Sequence, residues 1–394
     1  MEKIGCPGFR AAGVAANIKK ENVLDLGLIF SDKPAKVGGV FTRNLVQAAP
    51  VILDRELVQG GAARAIIVNS GNANCCNGLK GIEDAKTMAR LAALELEIES
   101  DEVLVASTGV IGAPMPMDRI EKAIPLLARS LQADGFSDLS IAIMTTDTVP
   151  KLVSQTGRIN GKTFTVTAVA KGAGMIRPDM ATMLCFVCTD IDADPDYLSY
   201  ALYMAAERSF NRITIDGDTS TNDTALILAN GASGALIENS VHKAVFQRVL
   251  DDILLELAKM MVKDGEGATK FVEINVRGAL SDNDAYAAAS TIANSNLVKT
   301  AFFGQDANWG RILAAVGRAG IPVDTDRINV YFDDILMCEN GMGRGIETER
   351  QAAKVMKKSE YTVGLDLKMG NGSASVYTCD LSYDYVKINA DYRS

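Results

Sequence analysis

The sequence predicts an α/β or α+β fold, and three observations carry that prediction. Ala, Val, Ile and Leu dominate an apolar share of 48%, while aromatic residues make up only 6%. Strand-like and helix-like stretches alternate along the chain, but without strict βαβ regularity. The texture then changes near residue 280. At 394 residues the chain is long enough for two or three domains. The reading divides it into a main domain, 1–280, and a smaller C-terminal α/β domain, 281–394.

Each element has its own signal. Arg64–Asn69 is a short apolar run, a buried strand. Ile82–Ile98 places Ala85, Met88, Ala89, Ala92 and Leu96 on one helical stripe. Glu102–Ala106 is a strand that runs into Ser107-Thr-Gly-Val-Ile-Gly112. Asp118–Leu131 is helical, with a kink expected at Pro125. Thr163–Ala170 alternates as a strand and leads through a glycine-rich loop to a second one, Met183–Cys188. Asp196–Ser209 and Val241–Lys263 are amphipathic helices. Val272, Ile274 and Val276 alternate with Glu273 and Asn275, the pattern of a half-exposed strand. Beyond 280 the reading places helices over Ala285–Ile292 and Thr348–Lys357, and a loop and helix over Gly304–Gly320. Strands fall near Ile328–Phe332, Tyr361–Leu367 and Ser373–Cys379. The tail around Asn389 reads as a docked terminal strand.

Composition excludes several classes. A net charge of −9, with no basic stripe and interleaved aromatics, argues against a nucleic-acid partner. No apolar run approaches the roughly 18 residues of a spanning helix. Met1–Gly8 has neither a charged region nor the apolar run of a signal peptide, so the cytoplasm is the expected location. The seven cysteines, an odd number scattered through the chain, fit reduced thiols better than a disulfide framework. Cys185 and Cys188 spell C-x-x-C. On a strand, however, residues three apart point to opposite faces, so core packing explains them better than a metal or redox site.

The most informative segment is Lys171–Asp190. A glycine-rich, proline-containing loop ends at Ala181-Thr182, a small residue followed by a hydroxyl. Such a junction suits a precursor that cuts itself and leaves threonine as both nucleophile and new N-terminus. Its α-amine, with a pKa of roughly 7.7–8.0, is then the base. The single histidine, His242, makes most histidine-based mechanisms unavailable. Spacing alone favours a plainer account of Thr182, the start of a strand. Thr108-Gly109 offers a hydroxyl and an unhindered N–H for an oxyanion, and equally a plain strand-to-helix turn. Thr145–Lys151 is either a polar loop near a pocket or a solvated turn. Gly265-Glu-Gly267 can present Glu266 inward, or simply close a helix. No Walker or dinucleotide fingerprint, no histidine-rich metal site and no complete calcium loop is present.

Taken together the motifs resemble one family, the ornithine acetyltransferases or glutamate N-acetyltransferases of arginine biosynthesis. The resemblance runs through Gly39-Val-Phe-Thr42, Asn69-Ser-Gly-Asn-Ala-Asn74, Ser107–Gly112, Thr145-Thr-Asp-Thr148 and Lys171–Ile176. It continues through Met180-Ala-Thr-Met-Leu184, Asp216–Thr224, Gly265–Lys270, Gly304–Arg311 and Lys387–Ser394. It implies an αββα layered sandwich with a smaller C-terminal α/β domain. It also implies self-cleavage between Ala181 and Thr182, giving chains 1–181 and 182–394 that assemble as an α2β2 heterotetramer. Thr182 is the implied nucleophile, and Thr108 and Gly109 the oxyanion hole. Thr148, Lys171, Thr182, Glu266, Asn389 and Ser394 are the implied substrate-binding positions. Three residues depart from the family pattern: Ala173 for serine, Arg177 for histidine and Asp179 for asparagine.

The implied activity is acetyl transfer from N²-acetylornithine to glutamate through an acetyl-threonine ester, with acetyl-CoA as a further donor in some relatives. No metal or organic cofactor is called for. Lys171 is expected on the substrate α-carboxylate and Glu266 near the side-chain ammonium. Two rivals stand beside this reading. One is a self-cleaving threonine amidohydrolase or aminopeptidase, and the other a non-catalytic amino-acid-binding protein.

Overall fold

The structure is a computed structural model that describes residues 4–177 and 183–391. It falls into two compact units. The first takes in the described residues of 1–211 and 218–261, the second those of 212–217 and 262–394.

The first unit is built on a mixed sheet. Its early strands are β1 (Phe9–Val14), β2 (Leu26–Phe41), β3 (Ala62–Asn72), β4 (Val103–Val110), β5 (Lys151–Ile159), β6 (Lys162–Lys171) and β7 (Leu184–Thr189). A two-residue strand, β8 (Ile213–Thr214), belongs to the second unit, and β9 (Thr224–Ala229) completes the first. The order is β4-β3-β2-β9-β7-β6-β5, with β1 antiparallel to β2. β2 is the hinge of this arrangement. It pairs with β1 over Leu26–Ser31 and with β9 over Lys36–Phe41, and with β3 over Leu26–Phe30 and again at Ala35–Lys36, the register shifting between Phe30 and Ala35. Such a shift bends a strand and lets it serve two neighbours.

That bend folds the sheet into two facing layers. Ile29, Ile66, Val68, Leu104 and Ala106 from one half share a core with Val169, Leu184, Phe186, Leu226 and Leu228 from the other. Helices cover the outer faces. Ala85, Met88, Ala89 and Ala92 of the helix Gly78–Leu96 and Ile120, Ile124 and Leu127 of the helix Met117–Arg129 pack on Leu28, Ile67 and Val105. Phe246 of the long helix Ser240–Lys263 meets Phe164 of β6, ring centroids 5.9 Å apart. The layering is helix, sheet, sheet, helix, the αββα arrangement expected. Pro125 is accommodated inside the helix Met117–Arg129.

The second unit holds a seven-stranded sheet among the described residues, running from a short hairpin strand at Met342 through Ile335–Glu339, Asn329–Phe332, Glu360–Asp366 and Phe271–Ala279 to Gly372–Cys379 and β8. Phe271–Ala279 pairs on both sides within this sheet, although the sequence reading put it before the boundary at 280/281. Val272, Ile274 and Val276 are buried under Ala285, Ala289 and Ile292 of the helix Asp282–Ala293, as their alternation predicts. The tail is a correction. Tyr383–Ala390 is a helix rather than a docked strand, started by Ser382, whose hydroxyl accepts the Tyr385 N–H. A Ser N-cap at that point starts a helix where the tail was expected to dock as a strand. Among the described residues no helix is long and apolar enough to cross a membrane.

Candidate active site

β3 and β4 run parallel, and their C-terminal ends open the site. Ser70 pairs with Thr108 and Gly71 with Gly109. Gly109 has φ +132°, and a Cβ there would overlap the backbone of Gly71 and Asn72. Only glycine fits, because nothing larger tolerates both the left-handed backbone and the close approach. Asparagines fix the loop beyond. The Asn69 amide donates to the Asn72 carbonyl at 2.9 Å, and Ser107 Oγ donates to Asn69 Oδ1 at 2.6 Å. The buried Asn222 amide donates to the carbonyls of Ala73 and Ser107. These bonds satisfy backbone groups that irregular structure would otherwise leave unpaired.

Lys171 ends β6 with its side chain buried. Its Nζ donates to Thr145 Oγ1 at 2.8 Å and to Thr108 Oγ1 at 3.2 Å. A hydroxyl has one proton, so accepting from an ammonium leaves that proton for another acceptor and polarises it. Asp147 buttresses the next residue. Its Oδ1 accepts the Gly172 N–H at 2.7 Å and Lys151 Nζ at 2.7 Å, and Oδ2 accepts the Thr145 N–H at 3.1 Å. Burial alone would raise this carboxyl. The charges of Lys171 and Lys151 and the hydrogen bonds from Lys151 and Gly172 outweigh it and bring the pKa down to about 2. Thr145–Lys151, which the sequence left between pocket loop and solvated turn, is therefore anchored by a buried ion pair. Thr148 is exposed in that loop.

The described residues on either side of Ala181-Thr182 are held in place. Ile176 bridges to Thr219, and Thr219 Oγ1 donates to the Arg177 carbonyl at 2.8 Å. After the junction, the Thr224 N–H donates to the Met183 carbonyl at 2.9 Å, and Leu184 pairs with both Lys171 and Thr224. Ala181 and Thr182 lie outside the described residues, as do Asp179 and Ser394. Beside Met183 sits Asp223, fully buried, with Oδ2 lacking a hydrogen-bond partner among the described residues. Burial pushes its carboxyl well above the usual range, against smaller opposing contributions from Ser220, Lys171, Thr42 and the Met183 N–H.

In the second unit, Asn389 Nδ2 donates to Glu266 Oε2 at 2.7 Å, and the carboxylate is buried. Gly267 has φ +68°, and its carbonyl accepts from Ser382 Oγ at 2.6 Å, which ties the turn to the terminal helix.

Of the sequence-predicted residues, then, Thr108 meets Lys171 and Glu266 meets Asn389. Cys185 and Cys188 are buried in β7 with their thiols pushed up by burial, in keeping with core packing. His242 sits at the first turn of its helix, its Nδ1 accepting the Glu238 N–H at 3.3 Å. Sequence reasoning assigned no role to Asp147, Lys151, Asn222 or Asp223. Their only signal was to lie inside two of the motifs, Thr145–Lys151 and Asp216–Thr224.

Comparison with known proteins agrees with the motifs. The sequence model of the ArgJ family matches residues 10–394. The arginine biosynthesis bifunctional protein ArgJ of Geobacter sulfurreducens is 55% identical over 389 residues, covering 98% of this chain and 99% of that one. The glutamate N-acetyltransferase of Methanocaldococcus jannaschii is 47% identical, with 96% of each chain covered. Among solved structures, ArgJ from Bacillus halodurans is 38% identical, with 52% of this chain and 97% of that one covered and a TM-score of 0.49. With one family matched over nearly its whole length, the chain belongs to the ArgJ family, the acyltransferases of arginine biosynthesis.

Proposed function

We propose that the chain cuts itself between Ala181 and Thr182 and that the product transfers an acetyl group from N²-acetylornithine to glutamate. Thr182 Oγ, its proton taken by its own α-amine, attacks the acetyl carbonyl. The Thr108 hydroxyl and the Gly109 N–H hold the oxyanion. Ornithine leaves, and an acetyl-Thr182 ester remains. The glutamate amine attacks that ester and departs as N-acetylglutamate. Lys171 answers the substrate α-carboxylate, and Thr148, Asn389 and Ser394 take part in substrate binding. The buried Glu266 carboxylate suits an ammonium group. The mature enzyme is an α2β2 heterotetramer of the cytoplasm, and acetyl-CoA serves as a second donor.

The observation that carries this reading is the Lys171–Thr108 contact of 3.2 Å beside a glycine that admits no side chain. It supplies a polarised hydroxyl donor next to a backbone donor, at the chain end of β4. The test is mass spectrometry of the purified protein with an acetyl-transfer assay. Two fragments, the second starting at Thr182, and acetylglutamate formed only when glutamate is present are the expected results. A single uncut chain overturns the mechanism. Rapid acetate release without glutamate points instead to the amidohydrolase. Acetylglutamate from acetyl-CoA plus glutamate decides the second donor.

A further inference from the structure

Cys75 and Cys76 are adjacent, and their Sγ atoms lie 3.7 Å apart. Cys76 is exposed, while Cys75 and the other five cysteines are buried. Burial pushes the thiols of Cys6, Cys75, Cys185, Cys188, Cys338 and Cys379 upward, away from the reactive thiolate. Cys76 is thus the one thiol that solvent reaches, and its nearest sulfur neighbour is a second thiol in contact with it. Cys76 also has φ +63°, a conformation unusual for a residue with a side chain.

The pair sits on the segment that backs the Thr108–Gly109 strand end. The Ala73 N–H donates to the Val110 carbonyl at 3.0 Å, and the Gly112 N–H donates to the Cys75 carbonyl at 3.0 Å. That carbonyl belongs to the peptide joining the two cysteines. Asn222 clamps Ala73 and Ser107 together. A change in the 75–76 peptide is therefore transmitted to the strand that holds Gly109.

We propose that Cys75 and Cys76 form an oxidative modification site, a vicinal dithiol that peroxide converts to a disulfide. The Cys76 thiolate attacks one peroxide oxygen and the O–O bond breaks. The sulfur becomes a sulfenic acid and the released hydroxide takes up a proton as water. Cys75 sulfur then attacks Cys76 Sγ, the S–O bond breaks, and a second water leaves with the Cys75 proton. Two thiols and one hydrogen peroxide become one disulfide and two waters. Closing the sulfurs from contact to a bond of about 2.05 Å needs the intervening peptide to turn. Turning it takes the Cys75 carbonyl away from the Gly112 N–H. The effect on activity rests on the proposed oxyanion hole, whereas the oxidation itself does not.

The experiment treats the purified enzyme, as it matures, with hydrogen peroxide and reads its mass without reductant. The expected result is a loss of 2 Da confined to the peptide containing residues 75 and 76, reversed by dithiothreitol. Acetyl transfer falls by more than about tenfold and returns with the reductant, short of the roughly 10²–10³ cost of a lost oxyanion donor. Cys76→Ser changes an exposed side chain, so it folds, shows no 2 Da loss and keeps its activity in peroxide. Over-oxidation of Cys76 without the 2 Da loss, or a disulfide mapped elsewhere, overturns the proposal. The disulfide forming without any change in acetyl transfer leaves the site standing and removes its coupling to Gly109.

Discussion

Asp147 and Lys151 form an ion pair of 2.7 Å in which neither side chain reaches solvent. The same carboxylate accepts the Gly172 N–H, so the pair fixes the backbone one residue beyond Lys171. A buried pair of this kind is expensive to break from one side, because the surviving charge stays in a poor solvent. Asp147→Ala is expected to cost about 3–5 kcal/mol, measured by urea unfolding at neutral pH.

The pair also sets an acid limb of stability. The folded pKa of Asp147, about 2, lies below the unfolded carboxyl value. Its contribution is therefore present above roughly pH 3.9 and is lost as pH falls through the folded value, an effect of about 2–3 kcal/mol. Urea midpoints from pH 5 to pH 2 should fall less steeply in Asp147→Asn than in the parent. Equal slopes would mean that other carboxylates govern acid unfolding.

Asp223 predicts the opposite sign. Its folded pKa is raised, chiefly by burial. The stability attached to its neutral form is whole below the unfolded carboxyl pKa and drains as pH rises toward and through the folded one. Asp223→Asn removes that drain. Its thermal midpoint relative to the parent should rise between pH 5 and pH 8, and a constant difference across that range would contradict a buried neutral acid.

At the strand end, hydroxyl and backbone are separable. Thr108→Val keeps shape but removes the proton donor, and a loss of about 10²–10³ in kcat is expected, while Thr108→Ser retains most activity. Gly109→Ala should lower kcat at least as far, because its Cβ collides with the β3 backbone. Single-turnover acetyl transfer with precleaved enzyme checks both. Full activity in Thr108→Val would remove that hydroxyl from the proposed oxyanion hole.

Asn222 tests the support behind that strand. Asn222→Ala strands the carbonyls of Ala73 and Ser107, with an expected cost of about 1–3 kcal/mol for each buried group left unpaired. Chemical denaturation measures it, and an unchanged midpoint would mean that water replaces the amide.

Elements with a clean period were legible in the sequence. The stripe of Ala85, Met88 and Ala89 and the alternation of Val272, Ile274 and Val276 each mark a face that must be buried. β2 was not legible. Its Ser31-Asp-Lys-Pro34 stretch interrupts any period, because the strand bends there to change partners. The terminal helix was misread because a single capping serine outweighed its local pattern. For the site, the segments holding Thr108, Lys171, Glu266 and Asn389 stood out in the sequence, but their roles came through resemblance rather than spacing. Asp147, Lys151 and Asp223 look like ordinary surface residues in one dimension. Their burial comes from pairings between strands far apart in sequence, which no local window contains.

The strand order has a consequence for a chain cut at 181/182. β9 and β7, from the later fragment, lie between β2 and β6, from the earlier one. Each fragment would then supply strands the other needs for its edges. Neither half could leave without tearing ladders on both sides, so cutting would free an amine without freeing a subunit. The two fragments should co-purify without any covalent link and part only when the sheet itself unfolds.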